Sequence, residues 1–207
     1  LTKYLITQMY KAGVEVKLNT DIEIKDIEER NPDVVVLATG AVPIIPNIPG
    51  AKENNVVTAI DVLTGSKEVG DEVIIVGGGM VGCETAEFLA QKGKKVTILE
   101  MLSRIANDLE VTYRPFVMPR LREAGIRMET NLKVEEITNK GVKGSRDGAS
   151  ELFAGDTIVL AVGLRANQAL AQKLEGRVTS LYSVGDCNQP RRILQAIEEG
   201  FRVGLEI

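Results

Sequence analysis

A chain of 207 residues, 44% of them hydrophobic, is long enough to enclose a real core as one large domain or two smaller ones. Its formal charge of −4 comes from both signs interspersed, which argues against a nucleic-acid or other polyanion-binding surface. The apolar runs are strand-length and too short for a membrane-spanning helix, and no secretory signal pattern is visible at Leu1.

Leu1, Leu5 and Met9 fall at helical spacing ahead of Gly13, so the chain is expected to open inside a helix and to be a fragment of a longer protein. Val14-Glu15-Val16-Lys17-Leu18 alternates as a strand with one exposed face. The charged stretch Asp21 to Arg30 reads as surface, a short strand and then a helical turn. Asp33-Val34-Val35-Val36-Leu37 is a strand of the buried type. Its exit, Ala38-Thr39-Gly40-Ala41-Val42-Pro43, is small enough for a ligand to lie close, although taken alone a plain strand-to-loop exit explains it better. Ile44 to Gly50 is a stiff linker with Pro46 and Pro49, and Asn55 to Ser66 gives a short strand and a helix.

Val73-Ile74-Ile75-Val76 then feeds Gly77-Gly78-Gly79-Met80-Val81-Gly82, with an amphipathic segment from Thr85 to Lys92. Strand, turn and helix in that order put Gly77, Gly79 and Gly82 at G-x-G-x-x-G spacing. Gly77 permits the tight turn, Gly79 the approach of a pyrophosphate, and Gly82 close packing of helix on strand. The helix N-terminus offers unpaired N–H groups and a positive dipole end to phosphates. The next strand, Lys95 to Leu99, ends in Glu100, about 20 residues beyond the glycines, where a dinucleotide fold needs an acid for ribose hydroxyls. A structural glycine turn with a capping acid is the bland alternative, and the full pattern outweighs it. Glu100 repels a ribose 2′-phosphate, and Met101-Leu102-Ser103 behind it offer no basic cluster, which favours NADH over NADPH.

Asn107 or Asp108 is expected to cap a helix running to Glu123, with Pro115 and Pro119 forcing a kink or a late start. Ile126 to Thr130 is the next parallel strand. Residues 133–138, 141–143 and 151–153 form a small antiparallel meander with turns at Asn139-Lys140 and Asp147-Gly148. Asp156 to Gly163 repeats the acid, apolar strand and small exit of Asp33 to Gly40, an internal echo expected of two related nucleotide-binding halves. Asn167 to Leu174 is a short helix, and Ser180 to Val184 a strand leading into Gly185-Asp186. Arg191 to Ile207 is a final helix with Ile193, Ala196, Ile197, Gly200 and Gly204 on its packed side. With no histidine there is no imidazole chemistry, and Cys83 and Cys187, far apart and outside any C-x-x-C pair, fit a reducing, cytoplasmic setting without a metal site.

Ala38-Thr39-Gly40, then Gly77-x-Gly79-x-x-Gly82, then Ala161-Val162-Gly163, then Gly185-Asp186 resembles the pyridine nucleotide–disulfide oxidoreductase superfamily. The ending Val184-Gly185-Asp186-Cys187-x-x-Pro190-Arg191-Arg192-Ile193-x-x-Ala196-Ile197-x-Glu199-Gly200 resembles the C-terminal part of the NADH:flavin oxidoreductases related to 2,4-dienoyl-CoA reductase and 2-enoate reductase. The resemblance implies an α/β fold. A Rossmann-like NAD(P)-binding domain of parallel sheet plus antiparallel meander, residues 53–165, would be inserted in a partial FAD-binding domain made of residues 1–52 and 166–207. It implies that Gly77, Gly78, Gly79, Met80, Val81, Gly82 and Glu100 hold NADH and that Ala161, Val162 and Gly163 line its cleft. Glu84 would lie toward the nicotinamide, with first-turn dipole complementarity as an equal alternative. Thr39, Gly40, Gly185 and Asp186 would contact FAD, although alone Asp186 also suits a turn or N-cap.

The family's FAD-type G-x-G-x-x-G unit, its FMN-binding barrel and its iron–sulfur cysteines are not among these residues. FMN and a 4Fe-4S cluster are therefore expected in the full-length protein and not on this segment. The implied function is to accept hydride from NADH and pass electrons through FAD toward an activated C=C bond of enoate or enoyl-CoA type. The alternatives are a nucleotide-holding module without turnover, as in amine dehydrogenase relatives, and an NADH-dependent disulfide reductase whose redox pair lies elsewhere. Expected partners are NADH and the remaining domains of the same polypeptide. Apolar surface left open around residues 1 to 50 adds a possible homo-oligomer.

Overall fold

The computed structural model describes residues 1–207. In chain order the elements begin with α1 (Thr2–Lys11), α2 (Ile24–Arg30), β1 (Val34–Leu37), β2 (Ala41–Pro43), β3 (Val56–Thr58), α3 (Ala59–Thr64) and β4 (Glu72–Val76). There follow α4 (Met80–Gln91), β5 (Lys95–Leu99), α5 (Arg114–Glu123), β6 (Arg127–Glu129), and the three strands β7 (Lys133–Thr138), β8 (Gly141–Arg146) and β9 (Ala149–Ala154). The chain ends with β10 (Thr157–Leu160), β11 (Leu164–Ala166), α6 (Ala169–Leu174), β12 (Ser180–Ser183), a 3₁₀ turn at Gly185–Cys187, and α7 (Ile193–Glu206).

Five strands form one parallel sheet in the order β3-β10-β4-β5-β6. The β-branched run of β4 is central and buried on both faces, as a covered parallel strand requires. Its alternate residues split between two cores. Val73 and Ile75, with Ile98 and Val159, pack against Val62, Ala86, Leu89, Val117 and Leu121 of the helices. Ile74 and Val76, with Leu99, Ile158 and Leu160, pack against Leu132, just before β7, and against Ile137, Val142 and Phe153 of the antiparallel β7-β8-β9 layer. Each such fully buried Val, Leu or Ile stabilises the fold by about 1.5–3 kcal/mol. The two ends of the chain meet elsewhere: β1 pairs in parallel with β12, and β2 pairs antiparallel with β11.

The α/β architecture is the expected one, with these differences. Val14 to Leu18 is not a strand, because no strand runs beside it to take its backbone groups. No strand precedes α2, which starts at a capping box where Asp26 accepts from the Glu23 N–H. β1 is only half-buried, Val36 being 43% exposed, since β12 flanks one edge alone. Neither Asn107 nor Asp108 caps α5. The helix starts late, at Arg114, where Pro115 fits the first turn and has no hydrogen bond to lose. On α7 the half-buried residues are Gln195, Ala196, Glu199 and Val203, whereas Ile193, Ile197, Gly200 and Gly204 face outward. No helix is long and apolar enough to cross a membrane.

Candidate dinucleotide site

β4 drives the chain straight into the glycine turn. Gly77 has φ +106°, a conformation L side chains avoid, and a Cβ there would lie 2.5 Å from the Ala161 carbonyl oxygen. A Cβ on Gly82 would lie 2.0 Å from the Gly77 carbonyl oxygen. These two glycines therefore have the roles expected of them, the tight turn and the close seating of α4.

The middle glycines serve a different neighbour. A Cβ on Gly78 would meet Ile105 at 2.6 Å, and one on Gly79 would meet the Asp108 carboxylate at 3.1 Å. The segment after β5 lies across the turn: the Ala106 N–H donates to the Gly78 carbonyl at 2.6 Å. The Met80 N–H donates to both Asp108 carboxylate oxygens, at 2.9 and 3.0 Å. Sequence reasoning missed Asp108 in this role, because an acid that caps a helix from a distant loop leaves no local spacing signal.

Glu100 is buried at the end of β5. Its Oε2 accepts from the Gly78 N–H and its Oε1 from the Leu102 N–H, both at 2.7 Å. The acid expected at a ribose thus braces the glycine turn with both carboxylate oxygens. No hydrogen bond in the chain is donated by the N–H groups of Gly79, Val81 or Gly82, at the head of α4. Donors of that kind call for an anion or water. Glu84 is exposed on the first turn of α4. Cys83, inside the same turn, is a closed thiol: burial, with the Asp108 charge second, pushes it up to about 12.

Ala161 and Gly163 link this turn to the second cluster. The Ala161 N–H donates to the Val76 carbonyl at 2.8 Å, and the Gly163 carbonyl accepts from the Ile44 N–H at 3.1 Å, with the half-buried Val162 between them. Thr39 and Gly40 leave β1 beside the point where Gly185 and Asp186 leave β12, the carboxyl ends at which open α/β sheets bind ligands. Asn167 braces the first pair, its N–H donating to the Gly40 carbonyl at 3.1 Å and its carbonyl accepting from the Thr39 hydroxyl at 3.0 Å. Glu199 of α7 braces the second, accepting from the Gly185 N–H at 2.7 Å and pairing with Arg191. Asp186 accepts from the Arg191 N–H at 3.1 Å, ahead of α7. A cleft of about 650 Å³ between α2 and α6 shares Asn167 with this cluster and touches none of the glycine turn.

The glycine clearances are filled by the chain itself, and the unpaired N–H groups at the head of α4 are what an anion such as a dinucleotide phosphate would take up. The Thr39–Gly40 and Gly185–Asp186 exits lie side by side past the carboxyl ends of β1 and β12.

Comparison with known proteins agrees with that reading of the fold. The chain is 38% identical over 99% of its length to an NADH oxidase of Thermoanaerobacter brockii, covering 32% of that protein. It is 33% identical over 94% of its length to a cinnamate reductase of Clostridium sporogenes, covering 30% of it. Superposed on 2-naphthoyl-CoA reductase in complex with 2-naphthoyl-CoA it has a TM-score of 0.94 at 33% identity, over 99% of this chain and 31% of that one. The chain thus spans about a third of the length of these relatives. Residues 3–200 match the pyridine nucleotide-disulphide oxidoreductase family, and the chain belongs to that family of α/β, FAD- and NAD(P)-binding oxidoreductase folds.

Proposed function

We propose that the chain is the NADH-reading portion of a flavin-dependent reductase of the NADH:flavin oxidoreductase group, passing electrons through FAD toward an activated C=C bond. The observation that carries this reading is the row of open N–H groups of Gly79, Val81 and Gly82 at the head of α4, with Glu100 beside it. In this reading residues 53–165 are the NAD unit, and residues 1–52 with 166–207 contribute to an FAD unit. Gly77 to Gly82 seat the pyrophosphate, Glu100 takes ribose hydroxyls and disfavours a 2′-phosphate, Glu84 lies toward the nicotinamide, and Ala161 to Gly163 wall the cleft. Thr39, Gly40, Gly185 and Asp186 orient the flavin side. Nicotinamide and flavin supply the hydride chemistry when bound, so this segment has no catalytic residue of its own and only binds and orients.

The C=C substrate class is supported by the names of two relatives, a cinnamate reductase and a 2-naphthoyl-CoA reductase. In the same reading the FMN, the 4Fe-4S cluster and the substrate site belong to the rest of the polypeptide. The buried, free thiols of Cys83 and Cys187 support a reducing, cytoplasmic setting and speak against a disulfide exchange centre within the chain. Anaerobic titration of the full-length protein with NADH tests the proposal. Bleaching of the flavin absorbance in step with added NADH is expected. Saturable NADH binding with the oxidised flavin spectrum unchanged would instead assign the site to a nucleotide-holding module without turnover.

A further inference from the structure

The loop between β5 and α5 carries an acid that nucleotide binding does not require. Asp108 holds both carboxylate oxygens against the Met80 N–H and so keeps a negative charge at the N-terminus of α4. Ala106, fully buried with φ +56°, anchors the same loop to the Gly78 carbonyl. On the loop's other side stands Arg192, the residue before α7. Its Nη2 donates to the Asp108 carbonyl at 3.0 Å and its Nη1 to Glu110 at 3.1 Å. One short loop therefore connects the glycine turn to the head of α7.

We propose that Asp108 is a resident anion of the α4 N-terminus that sets the affinity for the dinucleotide. A pyrophosphate entering the turn exchanges with this carboxylate at Met80, and the displaced loop pulls on Arg192 at the head of α7. The inference rests on the dinucleotide reading above and adds to it a competitor built into the chain. A helix N-terminus stabilises one anion, and a second anion on the neighbouring N–H groups meets repulsion from the first. The open donors of Gly79, Val81 and Gly82 adjoin the occupied one at Met80. The clearance at Gly79 points the same way, since a Cβ there would meet Asp108 itself. A free phosphate gains little from such an exchange. A whole dinucleotide adds its contacts at Glu100 and the cleft, so it overcomes the same competition at a lower concentration.

Asp108→Asn keeps an oxygen to accept from Met80 and removes the charge. Calorimetric titration of the full chain, unaltered and D108N, with NADH and with inorganic pyrophosphate tests the proposal. D108N is expected to bind both probes about two- to fivefold more tightly at low salt, the range a helix-terminus charge commands. The gap should narrow at high salt. D108S, with a smaller side chain, should follow the same order and serves if D108N folds poorly. Equal or weaker binding of both probes by the charge-free variants overturns the inference, and leaves the dinucleotide reading standing wherever NADH binds. Failure of every protein to bind NADH, with pyrophosphate still preferring D108N, removes the dinucleotide reading and keeps the resident anion.

Discussion

Gly82 sits where α4 leaves the turn, with no room for a methyl group against the Gly77 carbonyl. Gly82→Ala must push the helix off the sheet. The expected loss is about 1–3 kcal/mol of stability, the usual cost of overpacking, together with loss of NADH binding. Thermal unfolding and fluorescence titration check both. Cys83 makes the opposite kind of prediction, about pH. Its thiol is pushed by burial up to about 12, whereas an unfolded cysteine titrates near about 8.5. The folded value is the higher one, so its stabilising contribution is complete below about pH 8.5 and drains away as pH rises toward about 12. Urea midpoints of the unaltered chain should therefore fall between about pH 9 and 11, and Cys83→Ala should flatten that fall. Spacing made the turn glycines Gly77 and Gly82 legible in the sequence, but not the hydrogen bonds by which Glu100 braces the turn. Asp108 and Glu199 were not, because each satisfies a backbone donor on an element distant in sequence.

Among the elements, the strand–turn–helix of β4 and α4, the strand β5 and the two meander turns were readable because their patterns are local. Val14 to Leu18 alternates like a strand yet has no partner, and alternation alone cannot supply one. The β5–α5 loop was misread as the start of a helix because its capping acid serves α4 instead. The short α3 shows a cap that does act on its own helix. Thr58 Oγ1 accepts from the Asp61 N–H at 3.1 Å, and the Asp61 carboxylate accepts from the Thr58 hydroxyl at 2.7 Å and its N–H at 2.9 Å. The Thr58 hydroxyl first, and then its N–H, hold the Asp61 carboxyl below the usual carboxylate range. A depressed folded value gives stability that is present above the unfolded pKa and is lost as pH falls past it. Asp61→Ala should accordingly cost about 1 kcal/mol at neutral pH and progressively less below about pH 4, as read from denaturant midpoints.

At the scale of the whole molecule, α1 and α7 bury no residue, and each displays large apolar side chains. Tyr4, Leu5, Ile6 and Met9 are exposed on α1, and Ile193, Leu194, Phe201 and Leu205 on α7. Faces of this kind seek a partner, and the chain by itself is expected to self-associate at high concentration. Phe201→Glu combined with Leu205→Glu should shift light-scattering masses toward the monomer without changing NADH affinity. The chain spans about a third of the length of these relatives. Its own task is tested most directly by calorimetric titration of the full chain with NADH and with NADPH under the same conditions. One saturable NADH site, abolished by Gly82→Ala, with NADPH binding more weakly because of Glu100, is the predicted result. Absence of saturable NADH binding, or tighter binding of NADPH, would contradict it.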